Sequence, residues 1–242
     1  MLIFMLYQPH KVKFLILKAP RTPPKEFIYA PPQDPIDVIY KDDLIIVLNK
    51  PSGLLSVPGR KKEHADSLET RVQAEYPEAK IIHRLDEPTS GLLVMALNKG
   101  VHRNISMQFE SRKTKKLYIA RVWGNIIDDK GDVDLPLICD WPNRPLQMVD
   151  QERGKASQTG WEVIEREDDD MVTRVALYPI TGRSHQLRVH MMELGHPILG
   201  DEFYAHDDAF AAAPRLQLHA HKLMINHPES GEEIWFESPC PF

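Results

Sequence analysis

Polar and apolar residues alternate along 117–123 (LYIARVW), 216–226 (LQLHAHKLMIN) and 233–237 (EIWFE), a period of two that predicts half-buried β-strands. Apolar runs at 43–48 and 92–97 predict two more, with turn-rich sequence between them. A spacing of four marks the helices. Leu68, Val72 and Tyr76 form one stripe, opened by Asp66 as a candidate N-cap with Glu69 three residues on and closed by Pro77. Val101, Ile105 and Phe109 form a second stripe. A third helix is expected over 184–194, where Gly195 suits a C-terminal cap and Pro197 blocks continuation. The acidic run EREDDD at 165–170 separates two strand-like segments, TGWEVI and MVTRVAL, and reads as the solvated loop of a hairpin. The predicted class is therefore α+β, a mixed and largely antiparallel sheet with flanking helices.

Length and composition narrow this picture. A chain of 242 residues, 42% hydrophobic and 27% charged, is long enough for one large core and has the make-up of an ordinary folded protein. Residues 1–35 stand apart. Prolines at 9, 20, 23, 24, 31, 32 and 35, with five basic residues against two acidic ones, suit an extended basic arm, and 36–242 is the expected globular domain. The apolar start MLIFMLY gives way after seven residues to Gln8, Pro9, His10, Lys11 and Lys13, which argues against a signal peptide or a membrane span. Cys139 and Cys240, far apart and outside any C-x-x-C pair, fit a reducing, cytoplasmic compartment.

The net charge of −5 argues against indiscriminate coating of nucleic acid. Its distribution matters more: seven basic residues and one acid between Lys99 and Arg121 put +6 on that stretch and leave −11 for the rest. Such a local basic surface suits an RNA backbone, and equally a solvated helix end.

Three stretches hold more polar and turn-forming residues than folding requires: NKPSGLLSVPG at 49–59, HRLDEPTSGLLVMALNK at 83–99 and PITGRSHQLRVHMMELGHPILGD at 179–201. Asp86 stands between Leu85 and a Pro-Thr-Ser-Gly turn that leads into the 92–97 strand. Taken alone, it reads as a turn or cap residue. The histidines suggest no metal: HExxH is absent, the cysteine spacing is wrong, and His219-x-His221 is assigned to packing or surface roles. Neither a Walker nor a Rossmann glycine pattern occurs, so no nucleotide cofactor is expected.

HRLD-x-x-TSG, with KKLYIARVWG at 115–124 and GRSHQLRVHMMELGHPILGD at 182–201, resembles the RluA family of pseudouridine synthases from about residue 36 to the C-terminus. VDLPLICDWPNRP at 133–145 is a segment not expected in the ribosome-only members. The resemblance implies the pseudouridine synthase fold with a central RNA-binding cleft, a redox-neutral isomerisation that needs no cofactor, and an N-terminal arm too short and proline-rich for the S4 domain of many relatives. It implies that Asp86 is the nucleophile, attacking either the ribose or the uracil ring so that the base is released, turned and rejoined through carbon. A carboxylate in a closed pocket needs a nearby cation to stay charged, and the resemblance assigns that part to Arg188, whose planar fork can also orient the carboxylate. The alternative for Arg188 is a surface helix salt bridge.

Tyr118, in K-x-Y-x-A, matches the family's active-site tyrosine, which stacks on the uracil and offers a hydroxyl; an alternating strand would otherwise use it for packing. Arg84 matches the arginine that fills the hole left by an extruded base, a step costing a few kcal/mol, and otherwise reads as a phosphate contact or an ion pair. Candidates for the phosphates are Arg112, Lys113, Lys115, Lys116 and Arg144, because backbone contacts need only positive charge and reach. The implied partners are structured RNAs, with one uridine in the tRNA anticodon loop and one in a loop of 23S rRNA; no membrane and no protein partner are expected. Two rival functions are a glycosidic hydrolase, which usually requires a second carboxylate that the motifs do not offer, and a non-catalytic RNA-binding module.

Overall fold

The computed structural model describes residues 20–22, 27–167 and 171–242. In chain order the strands are β1 (Asp37–Lys41), β2 (Ile45–Lys50), β3 (Lys80–Ile81), β4 (Ser90–Ala96), β5 (Lys115–Trp123), β6 (Lys130–Asp134), β7 (Leu137–Cys139), β8 (Gln147–Val149), β9 (Gln158–Glu167), β10 (Val172–Pro179), β11 (Leu218–Asn226) and β12 (Glu233–Glu237). The helices are α1 (Leu68–Gln73), α2 (Lys99–Glu110), α3 (Gln186–Glu193) and α4 (Asp207–Ala211). Ten strands make one sheet in the order β1-β2-β4-β11-β5-β10-β9-β6, with β3 added to β4 and β12 to β11, and β7–β8 is a separate hairpin. The pairings in this sheet are antiparallel except where β4 meets β11, through Ser90 with His219 and Gly91 with Ala220. Gly91 is required there: its φ is +112°, and a Cβ would lie 2.4 Å from the Ala220 carbonyl oxygen.

Runs of apolar residues in β2 and β4 reflect cover on both faces. Ile45, Val47, Leu92 and Val94 pack with Val101 and Ile105 of α2 on one side, while Ile46, Leu48, Leu93 and Met95 pack with Leu68 and Val72 of α1 on the other. Across the sheet, Ala120, Val122, Val175 and Leu177 pack against Leu187 and Met191 of α3. Tyr118 packs against both the α1 and the α3 clusters, at the seam between them.

Local signals account for most boundaries and correct one. The N-cap of α1 is Ser67, not Asp66: the Ser67 hydroxyl accepts the Thr70 N–H at 3.2 Å and Thr70 Oγ1 accepts the Ser67 N–H at 2.9 Å. Asp66 is instead taken by the Arg71 guanidinium at 2.8 and 2.7 Å. The α2 stripe holds, with Asn98 as its cap. Gly195, at φ +85°, ends α3 by donating to Met192 O at 2.9 Å, and His196 donates to Met191 O at 3.0 Å. The acidic hairpin is present, but Glu165 to Glu167 belong to β9 and Asp168 to Asp170 lie outside the described residues, as does the apolar start of the chain. No helix among the described residues is long and apolar enough to cross a membrane.

The described parts of the proline-rich arm lie against the domain. The Tyr29 hydroxyl donates to Asp66 O at 2.8 Å and accepts the Leu55 N–H at 3.0 Å, and the Arg21 N–H reaches Ala205 O at 2.9 Å.

Candidate active site

The turn that carries Asp86 is held by its backbone. Side chains alternate along HRLD: His83 and Leu85 turn inward, Arg84 is exposed and Asp86 is half-exposed. His83 stacks on Phe109, ring centroids 4.7 Å apart, and its Nε2 accepts the Val94 N–H at 3.2 Å. Burial, with Lys116 nearby, pushes this imidazole down to about 3 and keeps it a neutral acceptor.

The polar stretch 49–59 forms the cradle beneath. Ser56 Oγ both accepts the Leu85 N–H at 3.1 Å and donates to Leu85 O at 2.6 Å. Ser52 donates to Pro88 O at 2.7 Å, and the Gly53 N–H to Glu87 O at 3.0 Å. Lys50 is fully buried and divides its three N–H groups among Pro51 O, Leu54 O and Glu87 O, at 2.9, 2.7 and 2.9 Å. Burial pulls its ammonium down to about 7 against the pull of Glu87 and Asp86.

Arg188 meets Asp86, but its fork is elsewhere. Nε and Nη2 donate to the two oxygens of Asp201 at 2.7 Å each, and the remaining Nη1 lies 3.4 Å from Asp86 Oδ2. The expectation of a fork orienting Asp86 is therefore corrected: Asp201, fully buried and also bonded by the Phe203 and Tyr204 N–H groups, takes the bidentate position. A surface salt bridge is excluded, because Arg188 is 1% exposed. Burial alone would weaken the guanidinium's hold on its proton; Asp201 first, and Asp86 after it, raise it above the usual arginine range. With Asp201 already balancing its charge, Arg188 lies beside Asp86 without fully offsetting that carboxylate's negative charge. The pair itself is only partly enclosed, since the Asp86 side chain is 28% exposed.

The other oxygen of Asp86 faces His185, Oδ1 to Nε2 at 3.9 Å. Neither His185 nor Asp201 was singled out from the sequence, although both lie in the 179–201 stretch. Tyr118 lies close enough to Asp86 to feel its charge. Burial first, then Asp86, pushes the phenol well above its ordinary value, so at neutral pH it is a protonated donor.

The cationic candidates divide. Arg84 makes no ion pair or hydrogen bond among the described residues and is free to reach outward. Lys116 shares a strand face with Tyr118, and burial brings its ammonium down to about 8. Arg112 and Lys113 are exposed in the turn after α2. Lys115 is engaged with Glu233 at 3.4 Å, Arg144 lies 4.1 Å above the Trp141 ring, and Arg121 pairs with Glu167, so the basic stretch is less of a single surface than its sequence suggests. His219 bonds Ser90 Oγ at 2.9 Å and Ser238 O at 3.1 Å, and His221 bonds Ser238 O at 2.7 Å. Among the described residues no group of three or more His, Cys, Asp or Glu side chains is gathered as metal ligands would be.

Residues 44–193, spanning the cradle, the turn and α3, match the family model for RNA pseudouridylate synthase. The chain belongs to the RNA pseudouridylate synthase family. Over 215 residues this synthase is 58% identical to the "Dual-specificity RNA pseudouridine synthase RluA" of Escherichia coli K12, covering 88% of this chain and 98% of that protein. Its identity to the protein of the same name from Yersinia pestis is 60% over 205 residues, 85% of this chain and 99% of that one. Among solved structures, Human RNA Pseudouridylate Synthase Domain Containing 1 has a TM-score of 0.71 at 29% identity, covering 86% of this chain and 84% of that chain. Human RNA Pseudouridylate Synthase Domain Containing 4, with a TM-score of 0.69 at 23% identity, covers 85% of this chain and 88% of that one and shares the fold. The synthase is thus an RNA-modifying isomerase of the RluA family, and its mixed, mostly antiparallel sheet is that of its relatives.

Proposed function

We propose that the synthase converts a uridine in the tRNA anticodon loop and one in a loop of 23S rRNA to pseudouridine in the cytoplasm, with Asp86 as nucleophile. The observation that carries this reading is the half-exposed Asp86 carboxylate, approached at one oxygen by the Arg188 guanidinium at 3.4 Å and overlooked by the Tyr118 phenol. Two RNA substrates rest on the dual-specificity relatives, which match almost end to end. Residues 36–242 are the catalytic domain, with 1–35 as an appended arm.

In the isomerisation the N1–C1′ bond breaks, a C5–C1′ bond forms, the C5 proton leaves and N1 gains one, so the atoms balance without an oxidant or cofactor. Asp86 attacks C1′ or the uracil ring and holds the intermediate while the base turns. Arg188 keeps the carboxylate aimed. Tyr118 stacks on the uracil and donates from its protonated hydroxyl, and exposed Arg84 enters the space the base vacates. Arg112, Lys113 and Lys116, and with rearrangement Lys115 and Arg144, contact phosphates.

Tritium release from 5-tritiated uridine tests this reading, using a tRNA anticodon stem-loop and a 23S rRNA fragment as separate substrates. Release from both is expected, with none from Asp86→Ala. Retained release by that variant overturns the nucleophile, release from the rRNA fragment alone overturns the dual specificity, and free uracil would make the enzyme a hydrolase.

A further inference from the structure

His185 opens α3 in the left-handed region, at φ +54°, and its side chain makes no capping bond to the helix. A non-glycine residue held there marks a place where the surroundings dictate the backbone. The imidazole is turned toward the site: Nδ1 lies 2.7 Å from the Tyr204 hydroxyl, the ring stacks on Phe203 with centroids 5.7 Å apart, and Nε2 faces Asp86 at 3.9 Å. The Tyr204 hydroxyl already accepts the backbone N–H of Gln147, the first residue of β8, at 2.9 Å. Among the described residues His185 Nδ1 is the acceptor within its reach, so the phenolic proton goes to Nδ1. An imidazole that accepts at Nδ1 carries its own proton on Nε2, the nitrogen facing Asp86. Burial pushes the ring down to about 4, with Asp86 and Asp201 pulling it up and Arg188 pushing it down, so it faces the carboxylate as a neutral donor.

We propose that His185 is a positioning residue for Asp86, and that Tyr204 sets its tautomer, which links the β7–β8 hairpin to the nucleophile through two hydrogen bonds and a final imidazole–carboxylate contact of 3.9 Å. This rests on the reading of Asp86 as nucleophile. Arg188 at Oδ2 and His185 at Oδ1 flank the carboxylate, so a small approach of the imidazole suffices to fix its rotation when substrate is bound, and only one of the two adds charge. The hairpin end of the chain is exposed: between β7 and β8, Trp141 is 68% exposed beneath the Arg144 guanidinium. RNA seated on that tip would act on Gln147, and through Tyr204 on the aim of Asp86.

The test compares His185→Asn with His185→Gln. Asparagine tolerates the left-handed backbone and can accept the Tyr204 proton from the δ position, but it has no donor at the ε position. Glutamine carries an N–H at the ε reach. His185→Asn is expected to lower kcat about 10- to 100-fold with KM and Tm unchanged, and His185→Gln to return to within roughly threefold of wild type. Tyr204→Phe should lower kcat similarly, and the His185→Asn, Tyr204→Phe double variant should lose no more than either alone. Wild-type kcat in His185→Asn, a multiplicative loss in the double variant, or equal losses in Asn and Gln with a lowered Tm would each overturn the proposal. Activity retained by Asp86→Ala would instead remove the reading beneath it, so the two failures are separable.

Discussion

The turn that carries Asp86 and the segment that carries Arg188 touch at one ionic contact, yet they are held by different kinds of bond. Residues 83–91 are gripped through the backbone, by Lys50, Ser52 and Ser56 acting on carbonyls and one amide. Residues 181–201 are gripped through side chains: Arg188 on Asp201, Gln186 on Thr181 and Thr159 at 2.7 and 2.9 Å, and His190 on Thr159 at 2.9 Å. A backbone grip leaves the functional side chain free of structural duty. A side-chain grip makes the same groups responsible for shape and chemistry together. Activity and stability should therefore separate at Asp86 and coincide around α3.

Replacing Asp86 by Asn gives the sharpest separation. Tritium release should fall by at least about 10⁴-fold, while urea unfolding shows a change of less than about 1 kcal/mol, because Arg188 keeps Asp201. A marked loss of stability would break the comparison. Asp201→Ala is the opposite case: it strands a buried guanidinium, and unfolding free energy should drop by about 3–5 kcal/mol along with activity. A stable, inactive Asp201 variant would show that α3 is held by something else.

Two smaller effects probe the cradle. Ser56→Ala leaves the N–H and C=O of Leu85 without their partner and should cost about 1–3 kcal/mol, lowering kcat rather than raising KM; an unchanged kcat would mean that the cradle does not aim Asp86. Lys50 gives the shallowest signal. Its folded-state value, about 7, lies below the ordinary 10.5, so the unfolded chain binds this proton more tightly. Wild-type stability should accordingly rise with pH from about 7 toward 10.5 relative to Lys50→Met, and a falling difference would contradict the assignment.

The same contrast explains what could be read from the chain. Strand alternation and the α2 stripe are backbone periodicities that burial makes visible, and β5, β11 and β12 follow them closely. The cap of α1 was misplaced by one residue, on Asp66, because Asp and Ser are both capping residues; Arg71, five residues beyond Asp66, claims that carboxylate and leaves the cap to Ser67. The three-residue strands β7 and β8 carry too few residues for a period to show. In the candidate site, long motifs drew attention to Asp86, Tyr118, Arg188 and Arg84, and the fold brings Asp86, Arg188 and Tyr118 together. Asp201 drew none, since a Gly-Asp pair reads as a turn, and His185 was one histidine among eleven. The cradle's function was hidden for a different reason: no residue pattern announces which distant carbonyl a lysine or serine will reach.

The meeting of β4 with β11 also bears on how the enzyme comes into being. Ser90 and His219 are neighbours in space but 129 residues apart along the chain, joined by both the strand pairing and a side-chain hydrogen bond of 2.9 Å. Closing so long a loop is slow, and the gap beside β4 is filled only when β11 arrives. During synthesis, the turn that carries Asp86 leaves the ribosome long before the strand that completes its sheet. Until β11 is made, Ser90 and Gly91, at the end of that turn, lack the parallel strand that pairs with them in the finished sheet.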